Sequence, residues 1–184
     1  MKKKIILGVL ALLALVCLLS SVYTVEENQY ACTVRFSKII HTTQTPGLHF
    51  KVPFLDSVKY FPKAMMLYDI PPSEVLTSDK QNMTVDNYIL WRVSDPLLFY
   101  QSLGSTVVAE ERLNALTYNT LKTVMGTLSQ ADIINMDDAS ERNEIYAGIA
   151  SSVNALAQNY GIEVVDVKIK RFDLPEANEN AVYA

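Results

Sequence analysis

Side chains able to do chemistry are sparse among these 184 residues, and their spacing suits none of the common reactions. The two histidines are His41 and His49, and Cys32 is the single cysteine outside a leading apolar run. These cannot be joined into a metal site of usual ligand spacing. His41 falls in a polar stretch and His49 follows a Pro-Gly pair, positions that suit solvated or structural imidazoles. Cys32 alternates with Tyr30, Val34 and Phe36, the pattern of a buried thiol in a strand. The six glycines form neither G-x-G-x-x-G nor a P-loop, so nucleotide binding has no motif. Glu110-Glu111 and Asp137-Asp138 sit near helix starts, where stabilising the helix dipole explains them better than acid–base catalysis. Lys168-Ile169-Lys170-Arg171 could hold an anion, but charges in this arrangement also protect an edge strand from aggregation. Asn82-Met83-Thr84 matches a glycosylation sequon, a pattern common by chance. The expectation is no catalytic residue, no metal ligand and no cofactor.

The elements that would hold these residues begin with Ile5 to Val22, an uncharged run behind Lys2, Lys3 and Lys4. As a helix it spans roughly 27 Å, close to the hydrocarbon thickness of a bilayer. Ile5, Leu10, Leu12, Leu15, Leu19 and Val22 are among its membrane-facing candidates. A cleaved signal peptide is the competing reading. Cleavage after Ser20 or Ser21 would leave Leu18 or Leu19 where a small residue belongs, so the uncleaved anchor fits better. Lysines before the run and Glu26-Glu27 after it place the N-terminus in the cytoplasm and the remainder outside. Without those three lysines, 13 basic residues face 20 acidic ones, a balance of −7 that offers nucleic acid no bulk basic surface. The expected divisions are 1–4 cytoplasmic, 5–23 anchor, 24–175 folded domain and 176–184 the start of a further helix.

The texture after the anchor changes once. From Tyr30 to Val93, alternating apolar residues punctuated by proline read as strands at Tyr30–Ser37, Leu48–Lys51, Val58–Phe61, Met65–Ile70 and Met83–Val93. In the last of these Met83, Val85, Ile89, Trp91 and Val93 share one face. Ser94-Asp95-Pro96 then starts a helix that Gly104 stops, and a longer helix covers about Val107–Met125 with Leu113, Leu116, Leu121 and Val124 on its apolar side. Asp138 and Glu141 have capping-box spacing before a helix carrying Ile145, Ile149, Val153, Leu156 and Tyr160, with Gly161 as its stop. Ile162–Arg171 returns to strand, with Val165, Val167 and Ile169 on one face. Leu174-Pro175 launches a helix from Glu176 that lacks any stop signal at Ala184, as if the chain continued. The class is α+β.

Four blocks in order resemble the SPFH or band 7 domain of stomatin, prohibitin and flotillin. They are Arg35-Phe36-Ser37-Lys38, Pro46-Gly47 through Pro53-Phe54, Val85-Asp86 through Arg92-Val93-Ser94-Asp95-Pro96, and Gly161 through Lys170. The last block, with Phe172-Asp173-Leu174-Pro175, is most similar to the HflC group of protease modulators. Motif positions carried by the resemblance are Arg35, Pro46, Gly47, Phe50, Pro53, Phe54, Asp86, Arg92, Asp95, Pro96, Gly161, Asp166 and Pro175. They read physically as fold determinants: Pro46-Gly47 fits a type II turn, Pro53 and Pro62 mark sheet edges or bends, and Arg92 could pair with Asp95. Two departures are Lys122 where the family's middle helix has arginine, and a compact stretch between Asp132 and Gly161.

The resemblance implies a non-enzymatic, single-pass scaffold in the bacterial inner membrane. Its implied partners are the lipid bilayer, an HflK-like paralogue in a hetero-oligomer, and an FtsH-type membrane protease whose substrate access it limits. The helix from Glu176 would lead to an oligomerising coiled coil. A stomatin-like or prohibitin-like organiser of lipids or another partner is the alternative, and a membrane-tethered enzyme a remote one.

Overall fold

The structure, a computed structural model, describes residues 2–134 and 139–173. The fold is α+β, as expected, and divides into two compact units, Met1–Ala64 and Met65–Ala184.

The first unit opens with helix α1, Lys2–Ser20. Ser21 closes it: its N–H donates to Leu18 O at 3.2 Å and its hydroxyl donates to Cys17 O at 2.9 Å. Val22, the last residue of the apolar run expected to be helical, instead starts strand β1, Val22–Val25. Serines offer the backbone a local alternative to helix, and the Val-Tyr-Thr-Val run prefers extended structure. β1 pairs antiparallel with β4, Gly47–Phe50, so that Val22 faces Phe50 and Val25 faces Gly47. Strands β2 (Gln29–Arg35), β3 (Lys38–Thr43) and β5 (Asp56–Pro62) form a separate sheet ordered β3-β2-β5.

Tyr23, Val25 and Ala31 make one core cluster of the unit, with Val58 packed against it, and Tyr30, Cys32, Val34 and Phe61 are also buried. The Tyr23 hydroxyl lies 3.1 Å from that of Thr43 and 3.5 Å from that of Thr33. Cys32 is fully buried, in line with a structural thiol. Phe36 is not its strand neighbour. Phe36 and Ser37 form the two-residue turn between Arg35 and Lys38, with φ of 48° and 63°. Gly47 has positive φ, 130°, but is already the first residue of β4 rather than the second corner of a type II turn. Pro62 closes edge strand β5 opposite Gln29, where a missing N–H is tolerated.

The second unit is a three-stranded antiparallel sheet, β6-β7-β8, covered by helices. Central β7, Asn82–Val93, buries every second residue from Met83 to Val93, the predicted face with Asn87 added. Edge strand β6, Met66–Leu76, runs past its expected end at Ile70, and its register shifts across Pro71-Pro72 between Ile70 and Ser73. An edge position and an irregular rung accommodate those two prolines. Helix α2, Pro96–Ser102, begins at Asp95, whose Oδ1 accepts the N–H groups of Leu97 and Leu98 at 2.9 and 3.0 Å. Gly104 follows it at φ 75°. Helix α3, Thr106–Met125, buries Ala109, Leu113, Thr117, Leu121 and Met125, one residue every four. Leu116 and Val124 of the predicted stripe are only half-buried.

A short helix α4, Gln130–Ile134, has no counterpart in the sequence reading. Helix α5, Ala139–Ala157, buries Ile149, Val153 and Ala157, while Leu156, predicted inside, is exposed. α5 packs on α3 and on β8, Ile162–Asp173, and α3 also reaches β6.

β8 departs most from its prediction. Leu90 faces Asp166 and Trp91 faces Val164, so Val165 is an extra residue at a bulge. It turns outward and Val164 turns inward. A second bulge between Asp86 and Asn87 makes Lys170 the extra residue. The Asp137-Asp138 pair, the Asp138–Glu141 box, Pro175 and the helix from Glu176 lie outside the described residues.

Candidate membrane and partner surfaces

α1 supplies the first surface. Lys3–Ser20 is long and apolar enough to cross a membrane by length and composition, and Ile5, Leu10, Leu12, Leu15 and Leu19 are all exposed along it. Such a stripe on every side of a helix has no aqueous face, the mark of a segment made for apolar surroundings.

Just beyond the helix, four motif residues come together. Arg35 donates to Asp56 through both Nε (2.6 Å) and a terminal guanidinium nitrogen (3.0 Å). Asp56 also accepts the N–H of Val52 at 2.8 Å, which fixes the 52–56 loop containing Pro53 and Phe54. Lys51, beside Phe50, donates its N–H to Ser21 O at 2.7 Å, tying that loop to the end of α1. The Arg35 hydrogen bond, aided by the Val52 N–H, holds the Asp56 carboxyl below the usual carboxylate range against the opposing effect of burial; the same bond raises Arg35. Pro46 and Gly47 lie at the other end of β4 and take no part.

The outer face of the β6-β7-β8 sheet carries the second group. Lys170 reaches Asp69 on β6 at 2.6 Å and Asp86 on β7 at 2.7 Å, and both acids raise its pKa, Asp69 first. Arg171 pairs with Asp173 at 2.9 Å, and Lys168 with Asp166 at 3.3 Å. The basic cluster is thus matched by carboxylates across three strands and does not form an open anion site. Asp166 also accepts the Val167 N–H. Arg92 makes a two-pronged pair with Glu163, at 2.8 and 2.9 Å, which lowers the Glu163 pKa. Asp95, the partner that sequence proximity suggested, caps α2 instead.

Asp95, Pro96 and Gly161 meet at a third place. Gly161 O accepts the N–H groups of Ser94 (2.9 Å) and Asp95 (3.2 Å), and Gly161 itself has φ 71°. A Cβ there would stand 2.7 Å from Phe99 N and closer still to Asp95 O, so the position tolerates only glycine. Phe99, beneath it, stacks on Trp91 with centroids 6.4 Å apart.

Sequence reasoning missed Asp56, Glu163 and Asp69, the acids that complete these pairs, and the buried Asn87. Asn87 was legible as the one polar residue in phase with the apolar face of β7. The three acids were not, because their partners lie 21, 71 and 101 residues away. Among the described residues no group of three His, Cys, Asp or Glu side chains could hold a metal ion.

The arrangement contains a candidate span, a loop region stapled to its end, and a sheet face of paired charges. The model for the SPFH domain / Band 7 family matches residues 23–184, from the second residue of β1 onward. The chain belongs to the SPFH/Band 7 family. Within the family it is similar to the "Modulator of FtsH protease HflC" of Escherichia coli K12, at 28% identity over 226 residues, covering 100% of this chain and 67% of that protein. "Protein HflC" of Buchnera aphidicola from Schizaphis graminum is 30% identical over 98% of this chain and 64% of its own length. "Protein HflC" of Treponema pallidum is 30% identical over 86% of the chain and 47% of its own length. The SPFH chain therefore spans between about half and two thirds of these relatives. The Escherichia coli match runs over 226 residues against 184 here, so that SPFH relative carries intervening residues this chain lacks.

Proposed function

We propose that this chain is a non-enzymatic, single-pass membrane scaffold subunit of HflC type. The observation that carries the reading is one continuous stretch: a candidate membrane span runs directly into an SPFH/Band 7 domain whose curated relatives include proteins named HflC. In this reading α1 crosses the bacterial inner membrane with Lys2–Lys4 in the cytoplasm, as the charge asymmetry favours, and both folded units lie on the other side. Helix α1 itself ends at Ser20, inside the 5–23 anchor that the sequence favours.

The folded units supply lateral contacts to an HflK-like paralogue in a hetero-oligomer. The assembly restricts the substrates that reach an FtsH-type protease, in keeping with the word "modulator" in the Escherichia coli relative's name. Support for a binding role over an enzymatic one comes from the site chemistry. The ionisable residues gathered in the fold are paired with one another, and the motif residues Asp95, Pro96 and Gly161 set backbone geometry.

Affinity purification of the full-length protein from its native membranes, followed by particle imaging, tests this. Recovery of an FtsH-type protease with an HflK-like protein in a ring or cage is the expected result. Recovery of an unrelated membrane partner without the protease would replace it with a stomatin-like or prohibitin-like organiser. Turnover of a substrate by the purified chain alone would end the scaffold reading altogether.

A further inference from the structure

Among the described residues five buried side-chain polar atoms lack a hydrogen-bond partner, and all lie in the second unit: Asp86 Oδ1, both ends of the Asn87 amide, Trp91 Nε1 and Thr117 Oγ1. Asp86 is nonetheless ion-paired, with Lys170 Nζ at 2.7 Å, and Trp91 belongs to the stack with Phe99. That leaves Asn87 and Thr117, both fully buried. A polar group shut away from water without a partner costs far more than a paired one contributes, and an amide has donors and acceptors to satisfy at once.

Asn87 stands where the sheet is broken on both sides. On β6 its partner is Ile70, the last residue before the register shift across Pro71-Pro72. On β8 its partner is Ile169, next to the bulged Lys170. The two prolines have no N–H to give, and a bulge leaves ladder groups unpaired. The other bulge of β8 shows how such a gap is filled. There the N–H of Val164 donates to Asn154 Oδ1, which reaches over from α5, at 2.9 Å.

Helix α3 brings Thr117 to the same level. It runs alongside β6: the Tyr68 hydroxyl is raised above the usual phenol range by burial first and then by Glu110 and Glu111, and at the far end a Cβ on Gly126 would lie 4.0 Å from Leu76 O. From Glu110-Glu111 to Thr117 is about 10 Å of helix. The same distance along β6 from Tyr68 is roughly three residues, which reaches Pro71. Thr117, on the buried side of α3, is therefore level with the broken rung that Asn87 occupies.

We propose that Asn87 and Thr117 bind an internal water between the sheet and α3, at the rung where both neighbouring strands are irregular. The water accepts from Asn87 Nδ2, donates to Asn87 Oδ1 and pairs with Thr117 Oγ1, the roughly three bonds usual for a buried water. It takes the place of ladder partners lost at the rung. The bulge is thereby tolerated on the inner face while Lys170, its extra residue, turns outward to bridge Asp69 and Asp86. The inference concerns the second unit alone and stands whether or not α1 spans a membrane.

The test uses the full chain, labelled with 15N and held in micelles, and reads cross-relaxation between water and the Asn87 side-chain amide protons. Peaks of opposite sign in NOE and ROE spectra, the signature of a bound water, are expected. Peaks of the same sign, which mark exchange with solvent, or no water peak at all overturn the site. A second measurement follows urea unfolding through the emission of Trp91, the only tryptophan. Asn87→Leu and Thr117→Val are each expected to lower the midpoint, and the double variant to lose less than the two losses combined, because a site with no polar host holds no water. Additive losses overturn the sharing of one water, and no loss in either single variant overturns the site itself.

Discussion

The two units of this chain treat their large apolar residues in opposite ways. The second encloses Trp91, Phe99, Met83, Ile89, Leu113, Leu121, Met125 and Ile149 almost completely. The first buries smaller groups of side chains, among them Tyr23, Val25, Ala31, Val34 and Phe61, and leaves three phenylalanines in the open. Hydrophobic burial drives both, and the second unit leaves only aliphatic residues such as Leu67 and Val107 exposed among its described large apolar side chains. The first carries the candidate membrane span, and its three exposed phenylalanines lie in the turns and short strand that follow it in the chain.

Substitutions can break or sharpen that contrast. The largest effect is expected at Gly161→Ala in the second unit. Positive φ and a backbone clash act together there, and stability should fall by about 3 kcal/mol. Urea unfolding of the full chain in micelles measures it, and a loss below about 0.5 kcal/mol, the range of ordinary surface changes, would show that the α2 junction yields where the core argument says it is rigid.

In the first unit the decisive pair is Arg35–Asp56. The Asp56 carboxyl is lowered in the fold, so its contribution is fully present above the ordinary carboxylate pKa of about 4 and is lost as pH falls through the lowered value. The acid limb of the thermal midpoint against pH should lose this component in Asp56→Asn, and an unchanged limb would assign acid sensitivity to other carboxylates.

A gain is expected from Phe36→Asn with Ser37→Gly, which suits the turn between β2 and β3. Stability in micelles should rise by about 1 kcal/mol. No gain would show that the turn holds Phe36 and Ser37 at positive φ without strain. The smallest effect belongs to Glu163→Gln. Its pair with Arg92 is exposed at both ends, and the cost should stay below about 1 kcal/mol and shrink with salt.

The second unit was the more legible in sequence, and the contrast explains why. Water enforces periodicity, so the face of β7 from Met83 to Val93, the Asp95 cap, the span of α3 and the stops at Gly104 and Gly161 all appear where residue patterns place them. The exceptions are local. One inserted residue at the Val165 bulge reversed the facing of Val164 and Val165, because alternation carries no signal for where a bulge falls. Leu156 looked internal because a helix stripe drawn through leucines ignores small residues, and Ala157 holds the buried position.

In the first unit Phe36 read as a strand residue because its type favours strands, whereas the hairpin length, invisible in composition, made it a turn. Pairing of β4 with β1 rather than β3 was equally hidden, since short strands with exposed apolar residues have no face to declare. Among the motif positions, the roles of Asp95 and Gly161 could be derived locally. Those of Arg35, Asp86 and Arg92 depended on oppositely charged partners far away in the chain.

Both borders of the β6-β7-β8 sheet are spoiled as templates. β6 carries Pro71-Pro72 at a register shift, and β8 carries two bulges and a row of lysines and acids. Neighbouring copies gain little by pairing along this sheet, so a contact made there falls to side chains, and a junction of side chains can be undone one subunit at a time.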